Sequence, residues 1–330
     1  MFRKVVTMFA AAAFVTGVTD VAGAATVLKF GTVAPQDSSW GKEFKRFAKD
    51  VSDDTNGDLQ VDFLWNAQAG DENLMVQKIR SGQLDGAAVT VLGLAQTGVT
   101  DVLLFQMPGL FANWGKLDSA RNAMKPDFDQ QFQSKGFTIL GWGDVGAAKT
   151  MSIGFEIHHP ADLQGKNCFF IAGDPIGPKL FSAIGGINAK EVTVPEILPN
   201  LKNGSIQVMT VPPLAAEQLQ WASVVTHINT MTAGFGIGAI LVSSAKAQGL
   251  PQNLRDVLTN RGREATDRLT KSIRNLDAQA FARLKGSKAA YEPNDAEKGE
   301  WRDVFAKVRA QLRGSVFNPG LFDKVAGLAQ

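Results

Sequence analysis

The chain has 330 residues, 45% hydrophobic and 20% charged, a composition that excludes a disordered or low-complexity protein. Its 34 Lys and Arg against 32 Asp and Glu leave a formal charge of +2, too balanced for a chain whose main partner is a nucleic acid or an anionic membrane. A single cysteine, Cys168, allows no internal disulfide, and with only three histidines (His158, His159, His227) a structural zinc site lacks its usual ligands; no metal and no cofactor are expected.

Arg3 and Lys4 precede an apolar run over residues 5–18, which closes on Ala22-Gly23-Ala24. That order reads as a secretory signal peptide over residues 1–24, with a mature start near Ala25 and export to the periplasm. The run is shorter than the roughly 20 residues a spanning helix needs. Residues 26–33 then read as a strand, and Phe44, Phe47, Ala48 and Val51 repeat at helical spacing. Asn56-Gly57 breaks the chain, and Leu59, Val61 and Phe63 alternate with polar residues as a half-buried strand. Asp71 can cap a helix that Gly82 ends, and residues 84–91 return as a strand. Strands alternating with helices at this spacing predict βαβ units and a largely parallel sheet.

Met75, Ile79, Gly82 and Leu84 recur 122 positions later as Ile197, Leu201, Gly204 and Ile206, each time as a helix, a glycine stop and a strand. With further strand candidates at 137–142, 167–172 and 190–194, the second half can build a sheet of its own, which predicts two similar α/β lobes. The first takes residues 25–150 with a returning segment at about 232–250, and the second takes 151–231. Residues 252–285 lose strand character and carry Leu254, Val257, Leu258, Ala265, Leu269 and Ile273 as a helical stripe. Residues 251–330 are thus expected to form a long helix and C-terminal helices packing across both lobes, with Trp301, Phe305 and Val308 on one face of a helix over 295–312.

No nucleophile elbow, Walker loop or H-E-x-x-H pattern occurs, and Gly234-Phe235-Gly236-Ile237-Gly238 lacks the context of a dinucleotide site. His158-His159, before Pro160, reads as a solvated linker, and His227 as a strand-end residue. Cys168 reads as a buried small hydrophobe. An enzyme is not expected.

Five segments sharpen the reading: Leu28-Lys29-Phe30-Gly31-Thr32-Val33-Ala34-Pro35 with Ser38-Ser39-Trp40; Gln68-Ala69-Gly70-Asp71-Glu72; Ile79-Arg80-Ser81-Gly82-Gln83-Leu84-Asp85-Gly86; Pro108-Gly109-Leu110-Phe111; and Pro160-Ala161-Asp162-Leu163-Gln164-Gly165-Lys166. In this order and spacing the chain resembles the DctP-type substrate-binding proteins of TRAP transporters. The resemblance implies a two-lobed periplasmic binding protein fold, type II-like, with a long helix spanning both lobes. It also implies a ligand held in the interlobe cleft and delivery to membrane permease subunits.

The family's strand after the leucine-x-glycine turn usually bears an arginine that pairs with a ligand carboxylate; here Phe169 stands at the matching position. The family's acidic-glycine-polar segment is replaced by Gln207-Val208-Met209-Thr210-Val211-Pro212-Pro213. Trp40, Gln68, Val91, Trp142, Phe169, Pro212, Trp221 and Phe235 are the expected ligand-binding residues. Aromatic walls without the arginine predict a hydrophobic or amphipathic, lipid-like ligand, since an unpaired carboxylate buried there costs several kcal/mol. Two alternatives stay open: a small organic acid captured by Lys149, Lys166 or Lys179, and a non-transport protein that presents its ligand to a sensor or other periplasmic partner.

Overall fold

A computed structural model of the protein describes residues 25–329; the signal-peptide reading falls on residues 1–24, outside them. β1 (Thr26–Thr32), α1 (Ser39–Asp54), β2 (Leu59–Leu64), α2 (Glu72–Arg80) and β3 (Gly86–Thr90) form two βαβ units, with β1 parallel to both β2 and β3. The Ser38 side chain accepts from Gly41 N and starts α1, whose Phe44, Phe47 and Val51 are buried. Asn56 and Gly57 take left-handed φ values of 50° and 86°, which turns the chain sharply into β2. Asp71 caps α2 by accepting from Leu74 N at 2.8 Å.

α3 (Val91–Ala95) and α4 (Trp114–Ser134) lead into β4 (Phe137–Ser152). The second lobe follows as β5 (Asn167–Ile171), α5 (Ile176–Ile184), β6 (Asn188–Val192), α6 (Val194–Lys202), β7 (Val208–Val211) and α7 (Pro213–Gln218). β8 (His227–Ser243) returns to the first lobe, and α8 (Ser244–Gly249), α9 (Gln252–Ser287), β9 (Ala289–Tyr291), α10 (Asp295–Leu312) and α11 (Pro319–Leu328) complete the chain. The echoed segments are α2–Gly82–β3 and α6–Gly204–β7. Both glycines are left-handed, at φ 75° and 78°, and the six matched apolar side chains are all buried.

The expectation of two separate sheets is corrected: the strands form one ladder in the order β2-β1-β3-β8-β4-β7-β5-β6, with β9 added on β8. The reason is the length of β4 and β8, 16 and 17 residues, which pair antiparallel through both lobes. Register shifts between Ile139 and Thr150 interrupt that pairing. On the first-lobe side β8 pairs with β3, and on the second-lobe side β4 pairs with β7 and β8 with β9. The two lobes therefore share two crossing strands.

α9, 36 residues long, spans about 54 Å at 1.5 Å per residue. Its buried stripe of Leu254, Leu258, Ala265, Leu269, Ile273, Ala280 and Leu284 packs along both lobes. Arg268 bonds Glu43 at 2.7 Å and Asp50 at 3.1 Å on α1, and Arg283 grips Glu217 on α7 with two bonds of 3.0 and 2.5 Å. One helix thus holds both sides of the cleft.

His158 and His159 are half-exposed in the segment between β4 and β5, and they also have side-chain partners. His158 stacks on Tyr291 at 3.5 Å and bonds Glu156 at 2.7 Å, while His159 bonds Glu300 at 2.9 Å. Trp301 Nε1 donates to the His158 carbonyl at 3.0 Å. The Tyr291, Glu300 and Trp301 contacts come from β9 and α10, too distant in sequence for the dipeptide to announce them.

A candidate ligand cavity between the lobes

A cavity of about 400 Å³ lies where the crossing strands meet the carboxyl ends of β1, β3, β5 and β7. Such strand ends are where α/β proteins hold ligands. Trp40, placed by the Ser38 cap, lines it and donates Nε1 to the Asp144 carbonyl at 3.2 Å. Phe235 on β8 lines it with its ring 4.5 Å from Trp114. From the second lobe come half-buried Phe169 on β5, Pro212 at the start of α7, and Trp221, which enters after the left-handed Gln220 at φ 64°. These five expected residues share one cavity.

Three others do not line it. Trp142 is buried against Phe105 and Phe132, at 6.1 and 5.9 Å between ring centroids, in the first-lobe core. Val91 begins α3 with no exposure and packs in the same core. Gln68 is exposed, because left-handed Asn66 and Ala67 (φ 53° and 57°) swing it outward.

Several cavity residues had no local signal. Asp144, Thr150 and Gln106 lie outside every element the sequence reading marked, and Trp301 and Phe305 arrive from α10, more than 100 residues beyond β5. Glu72 belongs to a quoted motif, but its partners lie elsewhere: its carboxylate accepts from Thr90 N at 2.8 Å, Thr90 Oγ1 at 2.6 Å and Gly93 N at 2.9 Å. Thr150 and Thr210, paired across β4 and β7, bring their hydroxyls within 3.1 Å.

The charges in the wall are all negative. Asp71, Glu72, Asp144 and Asp174 line the cavity, and among the described residues that line it there is no Lys or Arg. Burial pushes Glu72 and Asp174 above the usual carboxylate range, despite the backbone amides each accepts from. Asp144 is fully buried and neutralised behind the wall by Arg121 at 2.7 Å and Arg274 at 2.5 Å. Asp118 completes this tetrad; burial opposes its charge, but the two guanidinia outweigh that and hold its carboxyl below the usual range. Arg274 also stacks over Trp114 at 4.4 Å. Both arginines are thus committed to carboxylates of the protein itself.

The lysines offered as substitute cations are elsewhere. Lys149 is buried and donates to the Thr230 carbonyl and Thr232 Oγ1, both at 2.7 Å. Lys166 lies over Phe155 at 4.3 Å, and Lys179 is exposed on α5. Among the described residues no group of three His, Cys, Asp or Glu side chains could hold a metal ion. No helix there is long and apolar enough to cross a membrane.

The lobes meet over the cavity. Gln218 on α7 accepts from Ser39 N at 2.9 Å and donates to Ser39 Oγ at 2.7 Å. Gln96, at the end of α3, packs so closely on Gly173 that a Cβ there would stand 2.7 Å from its amide nitrogen. Two lobes on crossing strands, braced by one helix and joined beside a cavity between them, define a protein that captures a small solute.

The comparisons agree with that class. The chain belongs to the bacterial extracellular solute-binding protein family 7, the DctP family, whose sequence profile matches residues 30–313. It is 22% identical over 289 residues to the C4-dicarboxylate-binding periplasmic protein DctP of Rhodobacter capsulatus, covering 87% of this chain and 86% of that one. Among solved structures it is similar to the sugar acid binding protein DctPAm of Advenella mimigardefordensis in complex with galactonate. That match has a TM-score of 0.86 at 20% identity, over 92% of this chain and 98% of the other. A TRAP periplasmic solute binding protein of Ralstonia eutropha with bound (S)-2-acetolactate gives a TM-score of 0.85 at 20% identity, over 92% and 98%.

Proposed function

We propose that the protein is the periplasmic receptor of a TRAP-type transport system and that its ligand is apolar or amphipathic. The observation that carries the ligand class is the cavity wall: aromatic and aliphatic side chains, four carboxylates, and no Lys or Arg among its described residues. A carboxylate ligand entering it would lose its hydration without gaining a cation, and it would face buried acidic groups. An apolar surface gains roughly 25 cal/mol per Å² buried, and Trp40, Phe169, Trp221 and Phe235 supply contact area with little loss of side-chain freedom. Within this reading residues 25–150 with 232–250 act as one lobe, 151–231 as the other and 251–330 as the brace. The support is the change of strand partners along β4 and β8. Membrane permease subunits are the partner that receives the ligand.

A second reading, a small organic acid, is favoured by the galactonate and acetolactate bound in the similar structures. Mild purification followed by native mass spectrometry and solvent extraction separates the two, together with calorimetry against galactonate and other small acids. A retained apolar molecule and no heat with the acids is the expected result. Micromolar binding of an acid, with nothing apolar extracted, would overturn the proposal.

A further inference from the structure

A second recess, of about 260 Å³, lies between α4 and α9, with Gly141 and Trp142 of β4 in its wall. Of its lining residues only Thr266 also lines the interlobe cavity, so a different group of side chains sets its chemistry. Its charge is opposite to that of the cavity: Arg121 and Lys125 from α4 meet Arg263 and Lys271 from α9, against the single acid Asp267. In a chain with 34 basic and 32 acidic residues this excess is local. Helical spacing produces it, because positions 121 and 125 on one helix, and 263, 267 and 271 on the other, are each four apart and share a face.

Lys125, Arg263 and Lys271 form no ion pair and no side-chain hydrogen bond among the described residues, although all three line the recess. Asp129, close enough for its charge to act on Lys125 and Arg263, accepts from Trp142 Nε1 at 3.4 Å and bonds neither cation. Arg121 is only 8% exposed and donates to Asp144 through one terminal nitrogen at 2.7 Å and to Asp118 through the other at 2.8 Å. Those bonds use two of a guanidinium's five N–H donors, which leaves donors for a group in the recess. Cations gathered from two helices repel one another, and a counter-ion between them relieves that repulsion. We propose that this recess is a second binding site, for a small oxyanion of two or more charges such as phosphate or pyrophosphate, whatever ligand the interlobe cavity takes. Three unpaired cations exceed what one carboxylate neutralises, and an anion with several equivalent oxygens can meet both helices at once. Asn122 and Thr270 add neutral donors to the same wall. The even charge of the whole chain speaks against an anionic membrane as the source of the phosphate group, so the occupant is a free ion.

The test is calorimetry of inorganic phosphate and of pyrophosphate with the purified protein at low ionic strength. One saturable site is expected, tighter for pyrophosphate and weakened by added salt. Lys125 is half-buried and Lys271 exposed, so neither supports the core. Lys125→Gln and Lys271→Gln should each weaken pyrophosphate about fivefold, and together by more than about tenfold, whereas Asp267→Asn should strengthen it. Lys42→Gln combined with Lys202→Gln removes the same charge from exposed positions elsewhere and should leave the affinity within about twofold of the parent. No saturable heat with either anion, or an equal loss in the recess pair and the control pair, would overturn the proposal. Binding confined to vesicles that contain phosphatidic acid would overturn it as well, because the occupant would then be a lipid headgroup and not a free ion.

Discussion

Phe169 is held in register by pairing with Lys190 on β6, while its neighbour Cys168 pairs with Val208 on β7, so the backbone would present any side chain at this position to the same place. Phe169→Arg should weaken N-phenyl-1-naphthylamine by about tenfold or more, because the variant loses aromatic area and gains a partly desolvated guanidinium. Appearance of measurable acid binding in the same variant would show that the cleft geometry is intact and only its chemistry has changed; fluorescence titration and calorimetry read the two effects. Lys149 is a different case, a buried ammonium over the Phe281 ring whose pKa burial lowers to about 8, against the pull of Asp277 and Glu292. Its folded value lies below its unfolded one, so the unfolded chain holds more protons between them and stability rises with pH from about 8 to 10.5. Lys149→Met should flatten that rise, whose ceiling is about 3 kcal/mol, when urea unfolding is compared at pH 7 and pH 9.5.

Asp277 shows how one helix position fixes three elements. It lies on the buried stripe of α9, between Ile273 and Ala280, where a sequence reading expects carbon. Its carboxylate accepts from Ala147 N on β4 and Leu214 N on α7, at 2.8 and 2.9 Å, just past the register shift at Asp144 and Gly146. Gly146 makes the approach feasible: its φ is 142°, and a Cβ would stand 2.5 Å from Pro212 Cβ and 2.7 Å from Asp277 Oδ1. Asp277→Ala strands two buried amides and should cost about 2–4 kcal/mol in chemical denaturation; Gly146→Ala should also destabilise, through strain at the same junction. A variant Asp277→Ala as stable as the parent would remove this account of the junction. The stripe itself was legible because Leu254 to Ile273 recur at helical spacing. The exception at 277 was not, because the amides that need it sit 130 and 63 residues away.

For the molecule as a whole, local signals marked α1, α2, α9 and α10, the echoed halves and the family's five segments, and each of these depends on neighbours within a few turns. β4 was read too short, and β8 only as a returning segment, for a physical reason. Their glycines, Gly141, Gly143 and Gly146 on one and Gly234, Gly236 and Gly238 on the other, interrupt the apolar pattern, yet several stand where another backbone or helix comes close. A Cβ at Gly238 would collide with the Val89 carbonyl, and one at Gly141 with Thr266 of α9. The same long-range geometry joins the lobes over the cavity, where the amide of Gln218 and the backbone N and hydroxyl of Ser39 form a reciprocal pair across 179 positions of sequence. That pair exists only when the lobes are together, so it contributes to holding a ligand and not to finding one. Gln218→Ala should therefore speed ligand dissociation by about fivefold, equivalent to roughly 1 kcal/mol for the lost bonds, while association changes by less than about twofold. Stopped-flow fluorescence with N-phenyl-1-naphthylamine measures both rates, and a variant that slows association while leaving dissociation unchanged would mean that the pair forms before the ligand enters.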